Sequence, residues 1–319
     1  MDSDVRDDVV VVGGGVIGLT TAVVLAERGH RVRLWTREPV GRTTSAVAGA
    51  LWWPYRIRPV GSARAWALRS LTVYEELAGR PGVTGVRVVE GVLGETALDE
   101  VAGWAAARLP GLRAATADEY SGAGLWARLP LIDMSVHLPW LRERLRAAGG
   151  VVEERAVTAL AEADAPVVVN CTGLGARTLV PDPSVRPVRG QLVVVENPGI
   201  RTWLVSTAAD GTMAYFFPQP GRLVLGGTAE DDVWTPEPDP AEAEAIVRRC
   251  AALRPEIAGA RVLEHRVGLR PARPAVRLER TSLPDGRVLV HNYGHGGAGV
   301  TVAWGCAEEA AGLAGAPSG

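Results

Sequence analysis

The sequence predicts an α/β protein: a parallel-sheet domain assembled from non-contiguous segments, with a mixed α+β domain inserted. Three observations carry this. The chain opens on a strand–helix–strand pattern at 9–12, 16–28 and 31–35. Strand signals return at 151–156, 167–170 and 288–291, with a final helix at 299–312. Between them, 186–227 holds strands split by Gly and Pro turns, at 191–195, 214–217 and 223–225.

The first strand is an unbroken valine run, the composition of a strand buried on both faces. The helix after it is apolar around much of its circumference, and 31–35 alternates. Residues 40–60, rich in Gly, Thr, Trp and Pro, read as loop. Helices follow at 66–77, 101–109 and 136–148, the last stopped by Gly149-Gly150. A helix at 239–253 and a strand at 260–268 complete the reading, with no internal repeat or low-complexity linker. The expected boundaries are 1–55, 140–183 and 276–319 for the parallel-sheet domain, and 56–139 and 184–275 for the inserted domain.

Length and composition exclude several classes. A chain of 319 residues has room for about two domains. Its 47% apolar and 22% charged residues describe a folded protein, and a net charge of −2 points to neither nucleic acid nor an anionic membrane. All 34 basic residues are arginine, which excludes Schiff-base chemistry on a side-chain amine and a P-loop lysine. Cys171, Cys250 and Cys306 are widely spaced without a CxxC, which fits a reducing cytoplasm. His30, His137, His265, His291 and His295 form no metal-ligand pattern, so no metal is expected. The uncharged run 9–26 is read as neither membrane span nor signal core. Asp2, Asp4, Asp7 and Asp8 precede it, and Gly13-Gly14-Gly15 interrupts it. The C-terminal residues carry no lipidation or organelle-address tripeptide.

Gly13-x-Gly15-x-x-Gly18 follows a strand and opens a helix, with Gly14, Val16 and Ile17 filling the turn. The first glycine permits the turn, the second lets backbone approach a pyrophosphate, and the third lets helix and strand pack closely. The pattern continues through Ala22, Leu25 and Gly29 into the second strand. This is a dinucleotide fingerprint, with the anion on the helix N-terminus. It does not choose the nucleotide. The second strand ends at Thr36-Arg37-Glu38. Glu38 suits an adenosine ribose, whereas Arg37 suits the 2′-phosphate of NADP.

The run His291-Asn292-Tyr293-Gly294-His295-Gly296-Gly297-Ala298-Gly299-Val300-Thr301 is a glycine-dense strand-to-helix junction. Upstream lie Gly268-Leu269-Arg270-Pro271-Ala272-Arg273-Pro274 and Arg277. With Thr43-Thr44-Ser45, Leu51-Trp52-Trp53-Pro54-Tyr55, Asn170-Cys171-Thr172-Gly173, Arg189-Gly190-Gln191 and Trp304-Gly305-Cys306, the chain resembles the D-amino-acid oxidase family nearly end to end. The resemblance implies FAD, held in a Rossmann-type domain by the fingerprint and by Thr36, Arg37, Thr43, Thr44, Ser45, Gly49, Ala50, Leu51, Val157, Thr172, Gly296, Gly297, Gly299, Val300 and Thr301. A second helix N-terminus at Gly296–Thr301 would stabilise negative charge gained by a reduced flavin.

The same resemblance implies the substrate residues. Arg277 is expected to hold the substrate carboxylate, with Arg270 and Arg273 structural, because a guanidinium fork matches a carboxylate. Tyr215 is the expected second contact. Trp53 stands where better-known members carry glutamine, and with Leu51 and Gly297 it would line the pocket, Gly297 offering its carbonyl to the amine. Gly211 stands where many relatives have a lid tyrosine, and the 207–214 loop is short. His295 is expected to support backbone, not to act as a base. No side chain is expected to be a catalytic acid or base. The implied reaction transfers hydride from a neutral amine's α-carbon to flavin N5. It yields 2-oxo acid, ammonia and hydrogen peroxide with O2 and water, from D-amino acids of neutral or apolar side chain. A homodimer is the assembly the resemblance implies. Four alternatives stay open: a D-aspartate oxidase, with Arg56 as a second cation; a glycine- or sarcosine-type oxidase; an NADP-dependent dehydrogenase; and a silent flavin-binding protein.

Overall fold

The opening valines form β1 (Asp8–Val12), whose last four residues are buried. A tight turn leads into α1 (Val16–Glu27), and β2 (Arg31–Thr36) returns parallel to β1, pairing Val9 with Val32. The computed structural model describes residues 8–315; Asp2, Asp4 and Asp7 ahead of the first strand, and 316–319, lie outside them.

Next come α2 (Thr44–Val47), α3 (Val60–Leu77), α4 (Pro81–Thr84), β3 (Val86–Gly94), α5 (Leu98–Ala105), β4 (Arg113–Ala114) and β5 (Gly124–Ile132). The middle of the chain supplies α6 (Met134–Ala147), β6 (Val151–Glu154), β7 (Val167–Asn170) and α7 (Ala176–Leu179). The remainder gives β8 (Arg186–Glu196), β9 (Trp203–Thr207), β10 (Met213–Gln219), β11 (Arg222–Gly226), β12 (Glu230–Asp231), α8 (Pro240–Leu253), β13 (Val262–Ser282), β14 (Val288–His295) and α9 (Gly299–Gly315).

The strands join one sheet in the order β4-β5-β3-β9-β10-β11-β8-β13-β14-β7-β1-β2-β6, with β12 paired to β8. The run β14-β7-β1-β2-β6 is parallel throughout. From β13 toward β4 the pairs are antiparallel, except β3 with β9. β13 belongs to both parts. Its first half pairs with β8 and its second with β14, and the register slips between Ala272 and Arg277.

α1 is buried on nearly every side because α6 and α9 pack against it as well as the sheet. A helix covered all round needs no polar stripe, which explains its uniformly apolar sequence. α9 also packs along α3. A Cβ on Gly305 would collide with the Trp66 backbone, so bare glycine sets the spacing of these helices. Asp133 starts α6 by accepting the Ser135 N–H at 3.1 Å, and Asp239 starts α8 by accepting the Ala241 N–H at 2.8 Å. α8 covers a second core of Val193, Val195, Phe216, Leu225 and Ile246.

Four sequence expectations differ. Residues 40–60 hold a short 3-10 turn and α2, so they are not all loop. The helix expected at 101–109 runs Leu98–Ala105. The strand expected at 260–268 continues through Pro271 and Pro274 to Ser282, because the register slip accommodates the segment carrying Pro274. β3, β5 and β9 were not anticipated.

Candidate active site

Two helix N-termini open on one cavity. α1 starts immediately after Gly15, with no acidic side chain in its first turn and no side chain capping Gly15. Beyond the Val16 N–H, which Ser45 takes, its first-turn N–H groups and positive dipole end face an anion site. Gly15, Val16 and Ile17 line the cavity. Gly13 and Gly18 lie beneath it: a Cβ on Gly18 would run into the Gly13 carbonyl, and one on Gly13 into the Cys171 carbonyl. Gly14 abuts Thr36 in the same way. Ser45 Oγ accepts the Val16 N–H at 2.9 Å, fixing the Thr44–Ala50 stretch along the cavity wall. At the other end a single 3-10 turn, Gly296–Ala298, leads into α9. Gly296, Gly297, Gly299, Val300 and Thr301 line the same space. Tyr74 donates to the Val300 carbonyl at 2.8 Å. Thr301 Oγ1 donates to the Trp53 carbonyl at 3.0 Å and accepts the Trp53 N–H at 3.3 Å, tying the α9 start to the Trp53 wall.

Between these ends Arg270 and Tyr215 face the cavity. Arg270 Nη1 donates to the Thr228 carbonyl at 2.9 Å and to the Arg189 carbonyl at 3.4 Å. The guanidinium lies over Gly190, where any Cβ would strike it. Tyr215 likewise lies flat against Gly226 and Gly227. Among the described residues no carboxylate pairs with Arg270, and Arg270 is the one charged side chain lining the cavity. A half-buried guanidinium without a counter-ion is a receptor for an external anion. Burial raises the Tyr215 phenol above its ordinary pKa, with Arg270 opposing that shift. The phenol therefore stays protonated and can donate. Leu51, Trp53, Leu93, Val205 and Met213 give the same lining an apolar part.

Arg277 is a correction. It does not line the cavity. Its Nε is 2.7 Å from Glu279 Oε1 and its Nη1 donates to Tyr293 Oη at 2.8 Å, so its donors are engaged elsewhere. The register slip after Ala272 carries it past the cavity. Arg273 is structural as expected, bonded to Asp182 at 2.9 Å. Arg270, expected to be structural, is the arginine at the site. Tyr55, Thr228 and Met213 also line the cavity without having been singled out. For Tyr55 the signal was present, since it stands two residues after Trp53.

Thr36, Arg37, Thr43, Val157 and Thr172 lie outside the cavity lining. Thr36 Oγ1 donates to the Glu38 carbonyl, Thr43 Oγ1 to the Val40 carbonyl, and Thr172 Oγ1 to Asn170 Oδ1. Arg37 is exposed, 3.4 Å from Glu38. Val157 packs near Trp35 and Leu160. Arg56 is exposed, its guanidinium over the Tyr55 ring at 5.6 Å, and does not reach the cavity lining.

Burial lowers the His295 pKa to about 3, and its Nε2 has no hydrogen-bond partner. The ring is neutral at physiological pH. Asn292 Oδ1 is a second buried, unpartnered polar atom, and both residues line the cavity at the α9 end. With the glycine cradle at α1 and the bare helix starts, these orphaned atoms fit a long nucleotide cofactor carrying a phosphate end and a polar ring end.

A nucleotide cleft at the carboxyl ends of parallel strands, joined to an arginine–tyrosine pocket under a second helix start, defines a dinucleotide-dependent oxidoreductase. The family model for FAD dependent oxidoreductase (DAO) matches residues 8–313. The chain belongs to this family, which assigns the nucleotide fold to FAD and not NADP. A D-amino-acid oxidase of Streptomyces coelicolor is 81% identical over 315 residues, covering 98% of each chain. A D-amino-acid oxidase of Rubrobacter xylanophilus is 51% identical, covering 96% of this chain and 95% of its own. Among solved structures, glycine oxidase of Geobacillus kaustophilus superposes with a TM-score of 0.80 at 23% identity, covering 97% of this chain and 94% of its own. That last likeness concerns the fold.

Proposed function

We propose that this chain is an FAD-dependent oxidase of D-amino acids with neutral or apolar side chains, producing 2-oxo acid, ammonia and hydrogen peroxide from O2 and water. The observation that carries it is the single uncompensated guanidinium of Arg270 beside protonated Tyr215, in the same cavity as Gly297 and the α9 N-terminus. Arg270 takes the substrate carboxylate on its fork, and Tyr215 donates a further hydrogen bond. Gly297 offers its carbonyl to the amine. The side chain falls against Leu51, Trp53, Leu93, Val205 and Met213. Three anchors around one α-carbon fix which hydrogen points toward the α9 end, and so select the D-isomer. FAD held there would supply the two-electron acceptor, the α-hydrogen leaving the substrate as hydride with both electrons. Burial makes His295 a weak base, and in this reading the residues contribute orientation, electrostatics and exclusion of water.

The fingerprint glycines, Ser45 and the Gly296–Thr301 stretch support the cofactor. Thr36, Arg37, Thr43, Val157 and Thr172 complete that reading toward the nucleotide end. Among the described residues Arg270 is the one cation in the cavity lining, which disfavours an acidic side chain. The two-domain division, a homodimer and a cytoplasmic location remain part of this reading. Among the described residues no helix is long and apolar enough to cross a membrane. The test is an anaerobic visible spectrum of the FAD-loaded protein with D-alanine, D-valine, D-aspartate and, as control, L-alanine. Bleaching by neutral D-isomers alone is expected. A flavin band that no D-amino acid bleaches would overturn the proposal.

A further inference from the structure

Among the described residues the cavity lining holds one thioether, Met213, and one thiol, Cys171. Met213 opens β10, is half-buried and lines the cavity. The Tyr55 hydroxyl donates to its Sδ at 3.4 Å, which orients the sulfur beside another cavity-lining group. Met134, at the start of α6, is only 3% exposed. Cys250 and Cys306 are fully buried and Cys171 is 8% exposed. Burial pushes the Cys171 and Cys250 thiols up to about 12 and the Cys306 thiol well above its ordinary value. None of the three is a thiolate at neutral pH, and thiolate character together with access governs thiol oxidation. Thioether oxidation needs no deprotonation, only access to the oxidant.

We propose that Met213 is a modification site, oxidised to the sulfoxide by the hydrogen peroxide released in the same cavity. This rests on the proposed oxidase reading. A sulfur lone pair attacks one peroxide oxygen and the O–O bond breaks. The oxygen stays on sulfur, and the other leaves as hydroxide that takes up the remaining proton to form water. Sulfur is oxidised by two electrons and peroxide is reduced by two. The product carries a polar S–O group in the wall shared by Leu93, Val205 and Trp53. Apolar substrate side chains then meet an oxygen that must be desolvated, and Tyr55 gains a stronger acceptor. Turnover thus diminishes the enzyme's own capacity for apolar substrates, and a methionine sulfoxide reductase restores it.

The experiment treats the FAD-loaded protein with hydrogen peroxide alone and, separately, with D-alanine and O2 with and without catalase, followed by peptide mass spectrometry. One oxygen is expected on Met213 before Met134 or any cysteine in both oxidising arms. Activity should fall in step with that modification and return with the reductase. Met213→Leu should keep most of its own starting activity under peroxide doses that remove most of the parent's. The assignment is overturned if another residue takes the first oxygen, or if Met213→Leu decays as fast as the parent. If D-alanine generates no peroxide, the oxidase reading and the turnover step fail. The peroxide-only arm still reports whether Met213 is oxidised before the other described sulfurs.

Discussion

Replacing Arg270 with methionine removes the guanidinium while keeping a similar stem. In the structure one nitrogen, Nη1, is committed to the Thr228 and Arg189 carbonyls, which hold the fork in place. Nε and Nη2 remain to meet a carboxylate. Two charge-assisted hydrogen bonds at about 1.5–3 kcal/mol each give about 3–6 kcal/mol, or roughly a hundred- to ten-thousand-fold in kcat/KM. Arg277→Met is the matched control, since that side chain engages Glu279 and Tyr293 outside the cavity. It should alter kcat/KM by less than about tenfold, in line with a partly exposed ion pair. Both variants are assayed with D-alanine by oxygen consumption, with flavin absorbance and melting temperature confirming that each is folded and loaded. The reasoning is refuted if Arg277→Met suffers the larger loss, or if Arg270→Met retains parental kcat/KM.

Two further outcomes follow. Gly190→Ala should push the guanidinium off its seat, because the added methyl has no space beside Arg270. A penalty of about 1–3 kcal/mol is expected, appearing as raised KM for the amino acid with the flavin spectrum unchanged; an unaltered KM would remove Gly190 from the positioning argument. Stability should fall on mild acidification, because burial holds His137 and His291 at about 4 and His295 at about 3, from an ordinary 6.5. Between about 6.5 and 4 the unfolded chain binds protons that the fold refuses. Stability is therefore full above that window and is lost at up to about 1.4 kcal/mol per pH unit per histidine on descending through it. Denaturant melts of the FAD-loaded protein from pH 7.5 to 4.5 would show this, and a flat profile between 6.5 and 5 would contradict it.

The nucleotide half was legible because its signals are local. The β1–α1–β2 turn needs glycine at fixed offsets, and a valine run bounded by glycines reads as a buried parallel strand. β3 and β5 were not legible. Glu90 and Gly91 interrupt the first, and Arg128 and Pro130 the second, so neither shows clean alternation; they form because each is the other's partner. The choice among Arg270, Arg273 and Arg277 failed for a related reason. All three stand on one strand, and a slip in its pairing decides which faces the cavity. Spacing alone cannot report a slip of that kind. Resemblance found the segment but not the residue.

The position of β14 in the sheet has a consequence for the timing of assembly. Among the described residues it is the last strand in sequence, yet it lies inside the sheet between β13 and β7. Until residues 288–295 emerge, β7 presents an unpaired edge and the cavity lacks the His295–Thr301 end. Cofactor capture therefore waits until residues 288–301 have been synthesised. Nascent chains halted before that point carry an open valine-rich edge, the kind of surface on which aggregation begins.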